Sequence, residues 1–129
     1  HIGYNYRMPN INAALGCAQL ENLDRYVADK RETAARYVEF FKGKEDITFF
    51  TEPADCKSNY WLNAVVLKDK AAQLDFLEYT NDHGVMTRPV WELMNRLPMF
   101  EHCETDGLEN TEWLADRVVN IPSSVRLDK

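Results

Sequence analysis

The sequence predicts a single α+β domain with a long N-terminal helix, a small, mainly antiparallel sheet and flanking helices. Two observations carry that expectation. From Ile11 the apolar residues Leu20, Leu23, Val27, Ala34, Val38 and Phe41 recur at steps of three, four or seven, which places them near one helix face. After Gly43 the pattern changes to short β-branched and aromatic runs separated by turn residues.

Taken in order, residues 1–8 read as an aromatic, polar loop, and Pro9 stands where a first helical position tolerates a missing N–H. The helical stretch that follows is one long helix or two with a bend near Asp24, and Gly43 is a natural stop. Residues 47–51 read as a short strand, 53–58 as a loop and 60–67 as a buried strand. Asp69 suits the N-cap of a helix running to about His83, with Ala72, Phe76 and Tyr79, or Leu74 and Leu77, facing inward. Gly84 ends that helix, and residues 85–88 form a third short strand stopped by Pro89. Residues 91–100 are an aromatic, Met-rich turn region, 109–119 a final helix and 120–124 an extended exit. The strand order is not legible from this pattern.

Composition narrows the function classes. Hydrophobic residues make up 45% and charged residues 28% of the 129, which suits a globular domain rather than a disordered chain. A net charge of -6 disfavours a general nucleic-acid surface but leaves room for a local anion site built on arginine. Cys17, Cys56 and Cys103 are odd in number and widely spaced, which fits a reducing cytoplasm better than a disulfide framework. No signal peptide is visible and no apolar run approaches the ~20 residues of a membrane span. The chain opens at His1 inside a motif-like stretch, which reads as a piece of a longer protein.

Two segments concentrate groups suited to ligand chemistry. In the first, Gly3, Tyr4, Asn5, Tyr6, Arg7 and Met8 bring an amide between two aromatic rings, with a guanidinium two residues on. The fork of an Arg suits phosphate or carboxylate, and Asn offers a short donor. In the second, Thr87, Arg88, Pro89, Val90 and Trp91 put an Arg at a strand end, a common binding position. On residue chemistry alone both segments read first as packed aromatics with a solvated Arg. His83 and His102 lack metal-ligand spacing, Glu92 and Glu101 read as solvated acids, and no catalytic triad or glycine-rich phosphate loop is legible. No catalytic residue and no metal site are assigned.

Taken together, the first segment, the run Asn12, Ala13, Ala14, Leu15, Gly16 with Gln19 and Leu20, the segment from Thr87 to Trp91, and Ile121, Pro122, Ser123 and Ser124 resemble one family in the same order. The chain is similar to the C-terminal part of the DegT/DnrJ/EryC1/StrS sugar aminotransferases, which use pyridoxal phosphate. Residues 10–21 look most like the members that act in legionaminic acid and related bacterial glycan synthesis. The resemblance implies an aspartate-aminotransferase-like fold, of which residues 1–129 are the C-terminal domain, with the inter-domain loop and helix at 1–42. It implies a homodimer in which Asn5 contacts the cofactor phosphate of the partner subunit. Arg7 would then lie near the nucleotide sugar, and Arg88 and Trp91 would flank its entrance. The implied reaction moves an amino group from L-glutamate to a 4-keto sugar nucleotide. The cofactor's lysine would lie upstream, because none of Lys30, Lys42, Lys44, Lys57, Lys68, Lys70 and Lys129 stands in the family's lysine motif. The segment alone would therefore be inactive. Leu93 and Met94 replace a Pro-Leu-His run common in relatives, which removes one expected substrate contact. The alternative reading is a noncatalytic protein-interaction or ligand-binding domain that uses its aromatic N-terminal loop to dock a partner.

Overall fold

The computed structural model describes residues 6–126. The long N-terminal helix is two helices, α1 (Asn10–Leu20) and α2 (Leu23–Phe41), with the bend two residues earlier than Asp24. The Asn22 side chain donates back to the Ala18 carbonyl at 2.9 Å, satisfying a carbonyl at the end of α1 where the chain turns. Pro9 sits one residue before the helix, as its N-cap, rather than at its first position. Helix α1 carries no charged residue and buries none of its side chains, with Ile11 at 76% exposure. Helix α2 instead turns Ala34, Tyr37 and Phe41 onto the sheet. Gly43 and Gly84 both adopt positive φ, 74° and 76°, and so end α2 and the next helix in the conformation that glycine adopts without strain.

The sheet has four strands: β1 (Ile47–Phe49), β2 (Asn63–Leu67), β3 (Arg88–Pro89) and β4 (Val118–Ile121). Their order is β1-β2-β4-β3 and every pairing is antiparallel. Three expectations are corrected here. Residues 109–119 are not one helix: helix α4 covers only Glu109–Ala115, and Val118 and Val119 belong to a central strand. The third strand is shorter than residues 85–88 and includes Pro89, which an edge strand tolerates because one side of its ladder faces away from the sheet. Strand β2 also begins later than residue 60, since Tyr60 takes a left-handed backbone with φ 46°.

Helix α3 (Lys70–Asp82) starts at the expected cap, where the Asp69 carboxylate accepts from the Ala72 N–H at 2.8 Å. Its inner face combines parts of both expected stripes: Ala72, Phe76 and Leu77 pack on the core, while Leu74 and Tyr79 are exposed. One sheet face holds the core, in which Phe49, Val65, Leu67, Val119 and Ile121 are buried with Ala34 of α2. The alternating residues Ala64, Val66, Val118 and Asn120 point to the other face and are half-buried. That second face carries the candidate site.

Candidate functional site

Strand pairing builds the site. Ala64, Asn120 and Arg88 are direct Cα partners across β2, β4 and β3, so their side chains rise in one row on the half-buried face. Leu62 precedes β2, and Val90 and Trp91 follow β3. Together Leu62, Arg88, Pro89, Val90, Trp91 and Asn120 line a concave site of about 270 Å³. Its character is amphipathic: one guanidinium, one side-chain amide, and an indole that is 70% exposed. Among the described residues no carboxylate pairs with Arg88. Arg31 and Arg126, by contrast, each hold an acid: Arg31 donates to Glu52 at 2.7 Å and Arg126 to Asp29 at 2.9 Å. An unneutralised Arg beside an aromatic face can take a phosphate or carboxylate and stack an aromatic ring.

A second concavity of about 260 Å³ adjoins the first at Leu62 and is lined by Phe50, Cys56, Lys57, Ser58 and Tyr60 among others. Its wall is fixed by Glu52, whose carboxylate accepts twice from the Arg31 guanidinium, at 3.0 and 2.7 Å, and also from the Ser58 N–H. The Arg31 and Ser58 hydrogen bonds hold the Glu52 carboxyl at about 2, well below its ordinary range. A larger concavity, about 430 Å³, lies under residues 92–108 and contains none of the site residues expected from the sequence.

The structure therefore brings together Arg88 and Trp91, two of the four expected site residues. Arg7 is exposed on the loop before α1 and lines neither concavity. Asn5, the expected cofactor contact, lies outside the described residues. Asn120 and Leu62 were missed as site residues. Their only sequence signal is an Asn among β-branched residues, at a strand position where asparagine is depleted. Leu93 and Met94 line the large concavity, not the Arg88 site.

Among the described residues the lysines are engaged or solvent-facing, and Lys129 lies outside them. Lys30 donates to the Ser123 carbonyl at 2.6 Å, Lys68 meets Asp46 at 3.3 Å and Lys70 donates to Gln73 at 2.8 Å. Lys42 pairs with Glu39 at 3.7 Å, Lys44 lies 4.8 Å over the Phe40 ring, and Lys57 is exposed. No group of His, Cys, Asp and Glu suited to a metal ion occurs among the described residues.

Comparison with known proteins gives this geometry its setting. The chain is 32% identical over 124 residues to GDP-perosamine synthase of Escherichia coli O157:H7, covering 95% of this chain and 33% of that protein. The crystal structure of the sugar aminotransferase CalS13 from Micromonospora echinospora superposes with a TM-score of 0.82 at 26% identity, over 98% of this chain and 33% of that one. An E. coli GDP-4-keto-6-deoxy-D-mannose-3-dehydratase, solved with bound hydrated PLP, shares the fold at a TM-score of 0.78 and 20% identity, over 95% of this chain and 33% of that one. The chain thus spans about a third of the length of these relatives, as an α+β portion of an aspartate-aminotransferase-like fold. The DegT/DnrJ/EryC1/StrS aminotransferase family matches residues 1–129 throughout, and the chain belongs to that family.

Proposed function

We propose that this chain is the C-terminal part of a pyridoxal phosphate-dependent enzyme that transfers an amino group from L-glutamate to a 4-keto sugar nucleotide. Family membership supports amino transfer, and the perosamine synthase relative supports a nucleotide-sugar substrate. The observation that carries the substrate reading is Arg88, a guanidinium without a protein carboxylate among the described residues, set beside the exposed Trp91 in a concave site. Arg88 would hold a phosphate of the nucleotide sugar, and Trp91 would cover an apolar face of the sugar or base. Arg7 would meet the same anion from the loop before α1. Asn5 would bind the cofactor phosphate of the partner subunit in a homodimer. The cofactor supplies the electron sink for amino transfer, and the lysine that holds it would come from the part of the enzyme preceding this chain. The segment by itself would then be inactive. A cytoplasmic setting fits the three exposed cysteines. No described helix is long and apolar enough to cross a membrane.

The test is single-turnover kinetics of each half-reaction in the full-length enzyme. A hydrogen bond to a charged group contributes about 1.5–3 kcal/mol, and about 1.4 kcal/mol is tenfold in affinity. Arg88→Ala is therefore expected to weaken the sugar-nucleotide half-reaction roughly 10- to 100-fold, while the glutamate half-reaction stays within about twofold. Equal loss in both halves, or in neither, overturns this assignment of Arg88.

A further inference from the structure

We propose that Asn120 is a second ligand-contacting residue of the Arg88 site, where its side-chain amide binds the same phosphate group that Arg88 holds. The inference rests on the reading of that site as phosphate-binding. It starts from an oddity of sequence. Strand β4 runs Val118, Val119, Asn120, Ile121, and three of its four residues are strong strand formers. Asparagine is a poor one, and at a central strand its amide needs partners that the ladder does not provide.

The structure gives this amide little internal use. Its Nδ2 donates to the Pro89 carbonyl at 3.4 Å, beyond the ordinary range of an N–H···O bond. No described donor reaches its Oδ1, so one acceptor and a second N–H remain for a ligand. Placement favours that use. Asn120 and Arg88 are directly opposed across β4 and β3, with side chains on one face. Opposed Cβ atoms in an antiparallel pair lie roughly 4.5–5.5 Å apart, a span over which a guanidinium and an amide can share the oxygens of one phosphate. On the other flank the partner of Asn120 is Ala64, whose small side chain leaves the amide open to approach. Both polar residues line the same concave site.

The experiment is equilibrium calorimetry on the full-length enzyme with GDP, dTDP and UDP as probes. At least one diphosphate is expected to bind, and Arg88→Ala should weaken it about 10- to 100-fold. Asn120→Ala removes one hydrogen bond to the charged phosphate and should weaken it about 10-fold or more. Asn120→Asp keeps the shape but places a carboxylate beside both Arg88 and the phosphate, so it should weaken binding more than Asn120→Ala. Thermal midpoints accompany each titration, and Asn120→Ser replaces any variant that fails to fold, with a loss of affinity expected from it as well. If the Asn120 variants bind like wild type while Arg88→Ala does not, the inference fails and the site reading stands. If Asn120→Asp is no worse than Asn120→Ala, the phosphate lies elsewhere and the inference also fails. If Arg88→Ala is without effect, or no diphosphate binds at all, the site reading fails and takes the inference with it.

Discussion

Glu52 ties the segment leading into β2 to helix α2 through Arg31, and its side chain is only 22% exposed. The same carboxylate accepts from the Ser58 backbone, so protonating it breaks several contacts at once. Its pKa is depressed to about 2 in the fold against 4.5 ordinarily. A depressed carboxyl stabilises the native state fully above the ordinary value, and that contribution disappears as pH falls through the folded value. Glu52→Gln should therefore lower thermal stability near neutral pH, with the gap to wild type closing between about 4.5 and about 2. Melting curves across that range check this, and a gap independent of pH would mean that the lost contacts are not charge-dependent.

At the scale of elements, the joint between α3, α4 and β4 depends on one buried polar side chain. Gln73 is fully buried, and its Nε2 donates to the Ala115 and Val118 carbonyls, each at 2.9 Å. Those carbonyls lie at the last residue of α4 and the first residue of β4, so a helix side chain fixes the turn between them. Leaving a buried acceptor unsatisfied costs about 1–3 kcal/mol. Gln73→Leu should destabilise the domain by roughly 2–4 kcal/mol in chemical denaturation, counting both carbonyls. Leu74→Ala, at an exposed neighbour, should stay within about 0.5 kcal/mol. Gln73 also shows what the sequence conceals. The apolar spacing of α3 revealed Ala72, Phe76 and Leu77, and Asp69 revealed where the helix begins, because those signals are local. A glutamine at the centre of a joint looks like a surface residue until the elements it connects are placed. Val118 and Val119 were read as helix for the same reason: their partners, Val66 and Val65, lie more than fifty residues away. Arg88 and Trp91 were legible as a motif, whereas Asn120 becomes a site residue only through its pairing with Arg88.

For the whole molecule, the chain spans about a third of its relatives' length, and the proposed reaction is one of the longer enzyme. In the proposed homodimer, a complete site combines the lysine of one subunit with Asn5 of the other. Mixing Asn5→Ala subunits with subunits lacking the upstream lysine should then produce heterodimers with one intact site. Such heterodimers are expected to recover about half of the wild-type activity per dimer, on the assumption that the two sites work independently. Heterodimers that form without regaining activity would show that Asn5 does not act in trans.

The order of the strands also has a consequence for the birth of the protein. β4 lies between β2 and β3, yet it is the last strand in the sequence. During synthesis, β1 and β2 can pair as soon as both have left the ribosome, but β3 has no neighbour to join. The edge of β2 that will receive β4 then stands unpaired, carrying Val65 and its apolar neighbours, while more than fifty further residues are made. An open edge of this kind can recruit the wrong chain. Closing the sheet across that span is also an entropically costly, late event. The centre of the sheet is thus completed only once β4 has been made, and until then the nascent chain leaves the β2 edge exposed.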